Sequence, residues 1–217
     1  MKRAISTAIL VSAVSLISCQ AALAGPVEDA FQAQIGTLWV KGTPSFAGGE
    51  LAGCTLEYLS AIKDNVYKQG AVAIIRGSVG LMKASSGFAV TLKVIVNDIN
   101  SKTAASLPDA PEAAYLVSGF KTSKDAVIGS AASDTPGGLF TIFKTIPAFE
   151  MLSDGIGRHE IGISFRRRGG KADVTFTIDP TVIATDDNGK RTISVSEISA
   201  YTECVKTLLD NASTKAR

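Results

Sequence analysis

Imidazole and thiol are scarce in this chain, which holds one histidine, three cysteines and one tryptophan in 217 residues. That supply leaves little material for a histidine-rich metal centre or an iron–sulfur cluster. No His-x-x-x-His and no Cys-x-x-Cys occurs, so neither a metal nor a cofactor is expected. An excess of one charge is lacking as well. The 22 basic and 20 acidic residues leave a formal +2, too little to mark a nucleic-acid partner. Glycine does not recur at every third position, and 46% hydrophobic against 19% charged residues is outside the disordered range. The composition is that of a globular chain.

An apolar run of membrane-spanning length is also missing. Ala4 to Ile17 carries no charge but covers about 14 residues, against roughly 20 for a spanning helix. It follows the basic start Met1-Lys2-Arg3 and precedes Ala22-Leu23-Ala24, the small-x-small pattern that signal peptidase cuts. Those three parts in that order predict a secretory signal over residues 1–24 and one exported domain over 25–217. A second processing route competes with it. Leu16-Ile17-Ser18-Cys19 has the form of a lipobox, and a lipidated Cys19 would tether the protein to a membrane. The Ala-x-Ala site is better formed, so a secreted or periplasmic protein is expected, with membrane contact only through Cys19.

Cleavage after Ala24 removes Lys2, Arg3 and Cys19. What remains is charge-balanced and carries two cysteines, Cys54 and Cys204, in a compartment that oxidises thiols. We expect them to form a disulfide.

The pattern of the remaining chain is mostly β. Residues 25–50 show little periodicity, with a turn or two of helix from Glu28 to Ile35 and a loop at Gly48-Gly49. Cys54, Leu56 and Tyr58 then alternate with polar residues, and Ala71–Lys83 and Phe88–Ile99 read as two long strands joined by a tight turn. Shorter strands are expected at 114–121, 126–130 and 139–144, and a helical turn or two at 148–154. A hairpin centred on Gly169-Gly170 pairs Arg166 with Asp173, Phe165 with Val174, Ile163 with Phe176 and Ile161 with Ile178. A second, at Asn188-Gly189, sets Asp186 against Arg191 and Thr185 against Thr192. Ser194-Val195-Ser196-Glu197 fits a capping box, and Ile198, Tyr201, Val205, Leu208 and Leu209 follow at helical spacing. The expected fold is α+β or mainly β: an antiparallel sheet of about seven to nine strands, with a sandwich as one way of closing it, and a C-terminal helix tied to an early strand by the disulfide.

Motifs that carry chemistry are few. Arg166-Arg167-Arg168 with Lys171 is the densest charge cluster, and Arg167, Arg168 and Lys171 are candidate anion contacts. Cross-strand pairing instead makes Arg168 and Lys171 a solvated hairpin tip, with Arg167 turned to the core face beside Phe165. Thr185–Gly189 starts like a calcium loop but lacks the ligand spacing and the closing glutamate, for which Val195 stands. The tetrads Ser60–Lys63 and Ser118–Lys121 are about as many as chance supplies, and His159 has no nucleophile motif to serve.

No catalytic residue is assigned. The leading expectation is a non-catalytic exported domain that binds or supports another envelope component or protein. A periplasmic hydrolase using loop-borne groups such as Glu160 or Asp134, and a protease inhibitor presenting Thr135–Gly138, are the alternatives. Mass spectrometry of the exported protein should find Gly25 as its first residue. A first residue of lipid-bearing Cys19 would overturn the cleavage assignment.

Overall fold

Why these residues form strands is clearest in the first hairpin of the large sheet. In a computed structural model of the chain, which describes residues 31–215 except 86 and 101, strand β1 (Gly36–Ala47) runs antiparallel to β2 (Glu50–Asp64). Ala47 pairs with Glu50, and the two linking residues, Gly48 and Gly49, have φ of +59° and +82°. Two successive positive φ values are the demand of a type I′ turn, which glycine meets without a Cβ clash. The segment 1–24 expected to be a signal, with Cys19 in it, lies outside the described residues.

The register then repeats across the sheet. β2 pairs with β3 (Ala71–Ala84), β3 with β4 (Gly87–Ile99), β4 with β9 (Gly138–Phe143) and β9 with β8 (Val127–Ala132). A short strand, β5 (Ser106–Pro108), extends along the end of β4. This seven-stranded antiparallel sheet is faced by a four-stranded one in the order β11 (Val174–Ile178), β10 (Ile161–Arg167), β6 (Pro111–Ser118), β7 (Lys121–Thr122). Their inner faces share one core, where Tyr58 meets Phe176 with ring centroids 6.4 Å apart. The protein is mainly β, with β6 lying over β4 and β9 and β11 over β1 and β2.

Two helices complete the core. Helix α1 (Thr145–Gly157) buries Ala148 and Leu152 against β6, β10 and β4, longer than the turn or two expected. Helix α2 (Ser196–Lys215) buries Tyr201, Val205 and Leu208 against β1 and β2, while Leu209, expected on the same stripe, is exposed. Cys54 and Cys204 are disulfide-bonded, which ties α2 to β2 across a sequence separation of 150 residues. Closing so long a loop limits the unfolded chain by up to about 5 kcal/mol on the entropic account. Such a bond fits an oxidising compartment. Among the described residues no helix is long and apolar enough to cross a membrane.

Several local expectations need correction. The segment before residue 50 holds a twelve-residue strand, β1, whose pattern is masked by Gly42 and Pro44. Proline is tolerated there because β1 is an edge strand. The β10–β11 register is as expected from Ile161↔Ile178 to Phe165↔Val174, but the tip is wider than a two-residue turn. Gly170 N–H donates to Arg167 O, and Tyr67 Oη accepts the Ala172 N–H at 2.9 Å, so the tip leans on the body of the protein.

The hairpin joining β12 (Val182–Thr185) to β13 (Arg191–Ile193) is one residue out of the expected register, with Thr185 opposite Arg191 and Ala184 opposite Thr192. Asp186 decides this, because its carboxylate accepts from Asn188 N–H and Lys190 N–H and leaves only Gly189 at positive φ. That is a three-residue loop with a bulge rather than a type I′ turn.

Half of the capping box forms. Ser194 Oγ accepts from Ser196 N–H at 3.1 Å, but Ser194 N–H goes to Thr181 O, and Glu197 turns away to accept Gly42 N–H on β1 at 2.8 Å.

The single histidine closes α1. His159 sits at φ +56° while its N–H donates to Ile156 O and Glu160 N–H donates to Gly155 O, the paired bonds of a Schellman ending. A residue with a Cβ in that conformation is strained by roughly 1 kcal/mol. His159→Gly should therefore raise the thermal midpoint, read by circular dichroism, by an amount equivalent to about 1 kcal/mol.

Candidate functional site

Two concave places and one buried charge cluster hold the chemistry worth weighing. The cluster comes first, because it takes up the foremost sequence candidate. Arg167 is only 4% exposed, on the same face of β10 as Phe165. Its Nε donates to Asp64 at 2.7 Å, its Nη2 and Nη1 fork onto Asp98 at 2.7 and 3.2 Å, and Nη1 also reaches Asp109. Lys68 adds a second cation at 3.1 Å from Asp98. Asp64, fully buried, spends its other oxygen on the N–H groups of Val66 and Tyr67. The anions that Arg167 contacts are thus the protein's own carboxylates, which take up four of the five guanidinium N–H groups. Arg168 and Lys171 stand exposed at the tip beyond it.

A second network flanks the first. Asp173 receives the Tyr115 hydroxyl, Lys124 Nζ at 2.9 Å and Arg166 Nε at 3.0 Å. Partial burial would raise its carboxyl, but those three donors win and hold it at about 2 against an ordinary 3.8. The expected Arg166–Asp173 pairing is therefore present, within a larger group.

The remaining sequence candidates are dispersed. Asp134 lies exposed on the β8–β9 loop at 2.5 Å from Lys93, whose hydrogen bond and charge lower its carboxyl pKa. Glu160 lies exposed after α1, and no hydrogen bond or ion pair joins the two among the described residues. The Thr135–Gly138 loop lies along β4, since Gly137 O accepts the Val96 N–H at 2.9 Å. Ser60 Oγ is buried and donates to Gly36 O, while Ser118 is held by Asp154 and Arg158. Among the described residues no group of His, Cys, Asp and Glu side chains is placed to hold a metal ion.

The outer face of the large sheet carries a small polar recess of about 150 Å³, lined by Glu57, Arg76, Ser78, Lys93 and Thr135. Register places Lys41, Glu57, Ser78 and Lys93 in one row across β1 to β4. Its shallow, charge-balanced wall is ordinary for the wet face of an antiparallel sheet.

The larger concavity is of another kind. A groove of about 740 Å³ runs between the β1–β2 hairpin tip and the C-terminal half of α2. Its floor is apolar, formed by Pro44, Phe46, Leu51 and the disulfide at Cys204, and its rim is polar, with Glu50, Lys83, Glu203 and Asn211. Phe46 is 65% exposed, and with Pro44 and Leu51 it makes this exposure a contiguous apolar surface rather than a single residue. Sequence reasoning missed this groove because its two walls are about 150 residues apart in the chain and meet only in the folded protein, through the disulfide and the packing of α2 on β1 and β2. The one available signal was Phe46 standing two residues before the Gly-Gly turn.

Comparison with protein-family models, with curated proteins and with solved structures finds no significant match.

Removing the guanidinium of Arg167 would leave three carboxylates together without their shared cation. Arg167→Ala should lower the unfolding free energy in urea by about 3–5 kcal/mol, and Arg167→Lys should restore only part, because an ammonium cannot fork onto Asp98 while reaching Asp64. For Asp173 the sign follows from its lowered pKa: its contribution is complete above 3.8 and is lost as pH falls towards about 2. Asp173→Asn should cost about 2 kcal/mol at neutral pH, with the difference from the parent protein vanishing across that acid window.

Proposed function

We propose that this chain is an exported, non-catalytic domain that binds or supports another component of the cell envelope, with the groove beside the disulfide as its contact surface. The single observation that carries this reading is the exposed apolar floor of Phe46, Pro44 and Leu51, set between two elements that a covalent bond holds together. A rigid apolar concavity with a polar rim is the usual form of a binding site, and its fixed walls reduce the entropy lost on association. The chemistry suits an extended apolar segment of a partner protein, whose flanking charges would meet Glu50, Lys83 and Glu203 at the rim.

Export enters this reading through the basic start, apolar run and Ala22-Leu23-Ala24 site at the N-terminus, and the disulfide is consistent with a periplasmic or secreted destination. Lipidation at Cys19 would place the same groove at a membrane surface without altering it.

A photo-crosslinking residue at position 207, on the α2 wall of the groove, expressed in the native envelope, should yield a discrete adduct with one partner. The same residue at Lys171, on an exposed loop far along the chain, supplies the background. Equal labelling at the two positions would sink the assignment of the groove, and Phe46→Asp should abolish the adduct while leaving the thermal midpoint unchanged.

A further inference from the structure

The two edges of the large sheet are treated differently by the chain. Along β1 the outward backbone groups are taken up by its own side chains: Glu197 accepts Gly42 N–H, Arg191 donates to Thr37 O and Ile35 O, and Thr185 donates to Leu38 O. Strand β8 has one neighbour, β9, and nothing described lies along its other side. Its sequence, Val127-Ile128-Gly129-Ser130-Ala131-Ala132, contains no charge and no proline, and five of the six residues are exposed. Natural edge strands are usually guarded by lysine, proline, a cover or a bulge, because a bare edge is a template for another strand, and β8 has only a bulge near its start.

The backbone groups on offer follow from ladder alternation. Ser133 N–H donates to Gly138 O at the hairpin end, so Ala131, opposite Phe140, is the next residue bonded to β9, and Ser130 and Ala132 turn their N–H and C=O groups outward. Nearer the start of the strand a bulge between Val127 and Gly129 interrupts the regular edge.

We propose that β8 pairs antiparallel with β8 of a second copy of this chain, continuing the large sheet across a two-fold axis that passes beside Ala131. Ser130 of each copy then faces Ala132 of the other, and four interchain backbone hydrogen bonds form without using the bulge. A second copy is the fitting occupant because the strand is complementary to itself. The axis sets no like charges opposite within the strand, and its side chains from Gly129 to Ala132 are small enough for close approach. Of the charges beyond its ends, Lys124 and Asp134 are already paired within the chain, with Asp173 and Lys93, and antiparallel pairing sets the end that carries Asp125 and Lys144 beside the other end of the partner's strand. The isologous contact closes on itself, so it produces a dimer rather than a fibre. Strand pairing of this length covers less than the roughly 1,200–2,000 Å² of a stable interface, which makes the association concentration-dependent. The inference is independent of the groove.

Sedimentation velocity of the exported protein from micromolar to near-millimolar concentration should show a monomer passing into a dimer. Gly129→Lys puts a charge on the edge, and an added Cβ there meets nothing within 4 Å, so this variant should keep its thermal midpoint while weakening the dimer about tenfold or more. Ala131→Cys should give an oxidised, disulfide-linked dimer on a non-reducing gel, because the two copies of that residue face each other across the axis, whereas Lys171→Cys should not. A monomer at every concentration, a dimer indifferent to Gly129→Lys, or capture of a different chain in preference to a second copy would each overturn the proposal.

Discussion

Everything else in this fold hangs from strand β2, which carries a fastening at each end of its core-facing row. Cys54 bonds α2 near its start, and Asp64, ten residues and about 33 Å later, receives Arg167 from the opposite sheet. Between them Leu56, Tyr58 and Ile62 fill the core. The two fastenings act by different physics. The disulfide restricts the unfolded chain, while the Arg167 cluster acts in the native state by specificity. Burying one guanidinium among three carboxylates is unfavourable unless donors and acceptors meet, and here the cluster bridges the four-stranded sheet to the seven-stranded one through Arg167, Asp64 and Asp98.

That division explains where an apolar hollow can lie. The end of β2 near Asp64 is closed by ion pairs from β4, β10 and the β5–β6 loop, with Lys68 beside them. The end near Cys54 is closed covalently, and a disulfide needs little surrounding polar structure. It therefore leaves room for an apolar hollow between the hairpin tip and α2, which is where Phe46 is exposed. The same economy separates the sheet edges: side chains from the C-terminal third of the chain bond to the first half of β1, and among the described residues no strand pairs with the outer side of β8.

Much of this architecture was readable locally. The pairing of Phe165 with Val174 through Ile161 with Ile178 followed from alternation, and the disulfide from counting cysteines after removal of the signal. Even the buried charges left a trace. Asp64, Asp98 and Arg167 each fall on the core parity of their strands, in step with Ile62, Val96 and Phe165, although only Arg167 was singled out from the sequence. Their meeting was not readable, since it depends on how two sheets cross. Other readings failed where a side chain outcompeted the backbone rule: Asp186 rebuilt its own turn, Glu197 satisfied β1 instead of its helix, and His159 took the place a glycine usually has. β1 was missed because Gly42 and Pro44 break the alternation that announces a strand.

The amino-acid sequence by itself determined the β character, the register of the β10–β11 hairpin, the helical C-terminus and the cysteine pair, because alternation and turn residues act over a few positions. Tertiary structure alone decided that Arg167 answers to internal carboxylates and that Phe46 and α2 wall a groove. It likewise decided that one sheet edge is covered and the other bare. Those outcomes depend on groups 100 or more residues apart meeting in space, and no local pattern encodes the packing angle that brings them together.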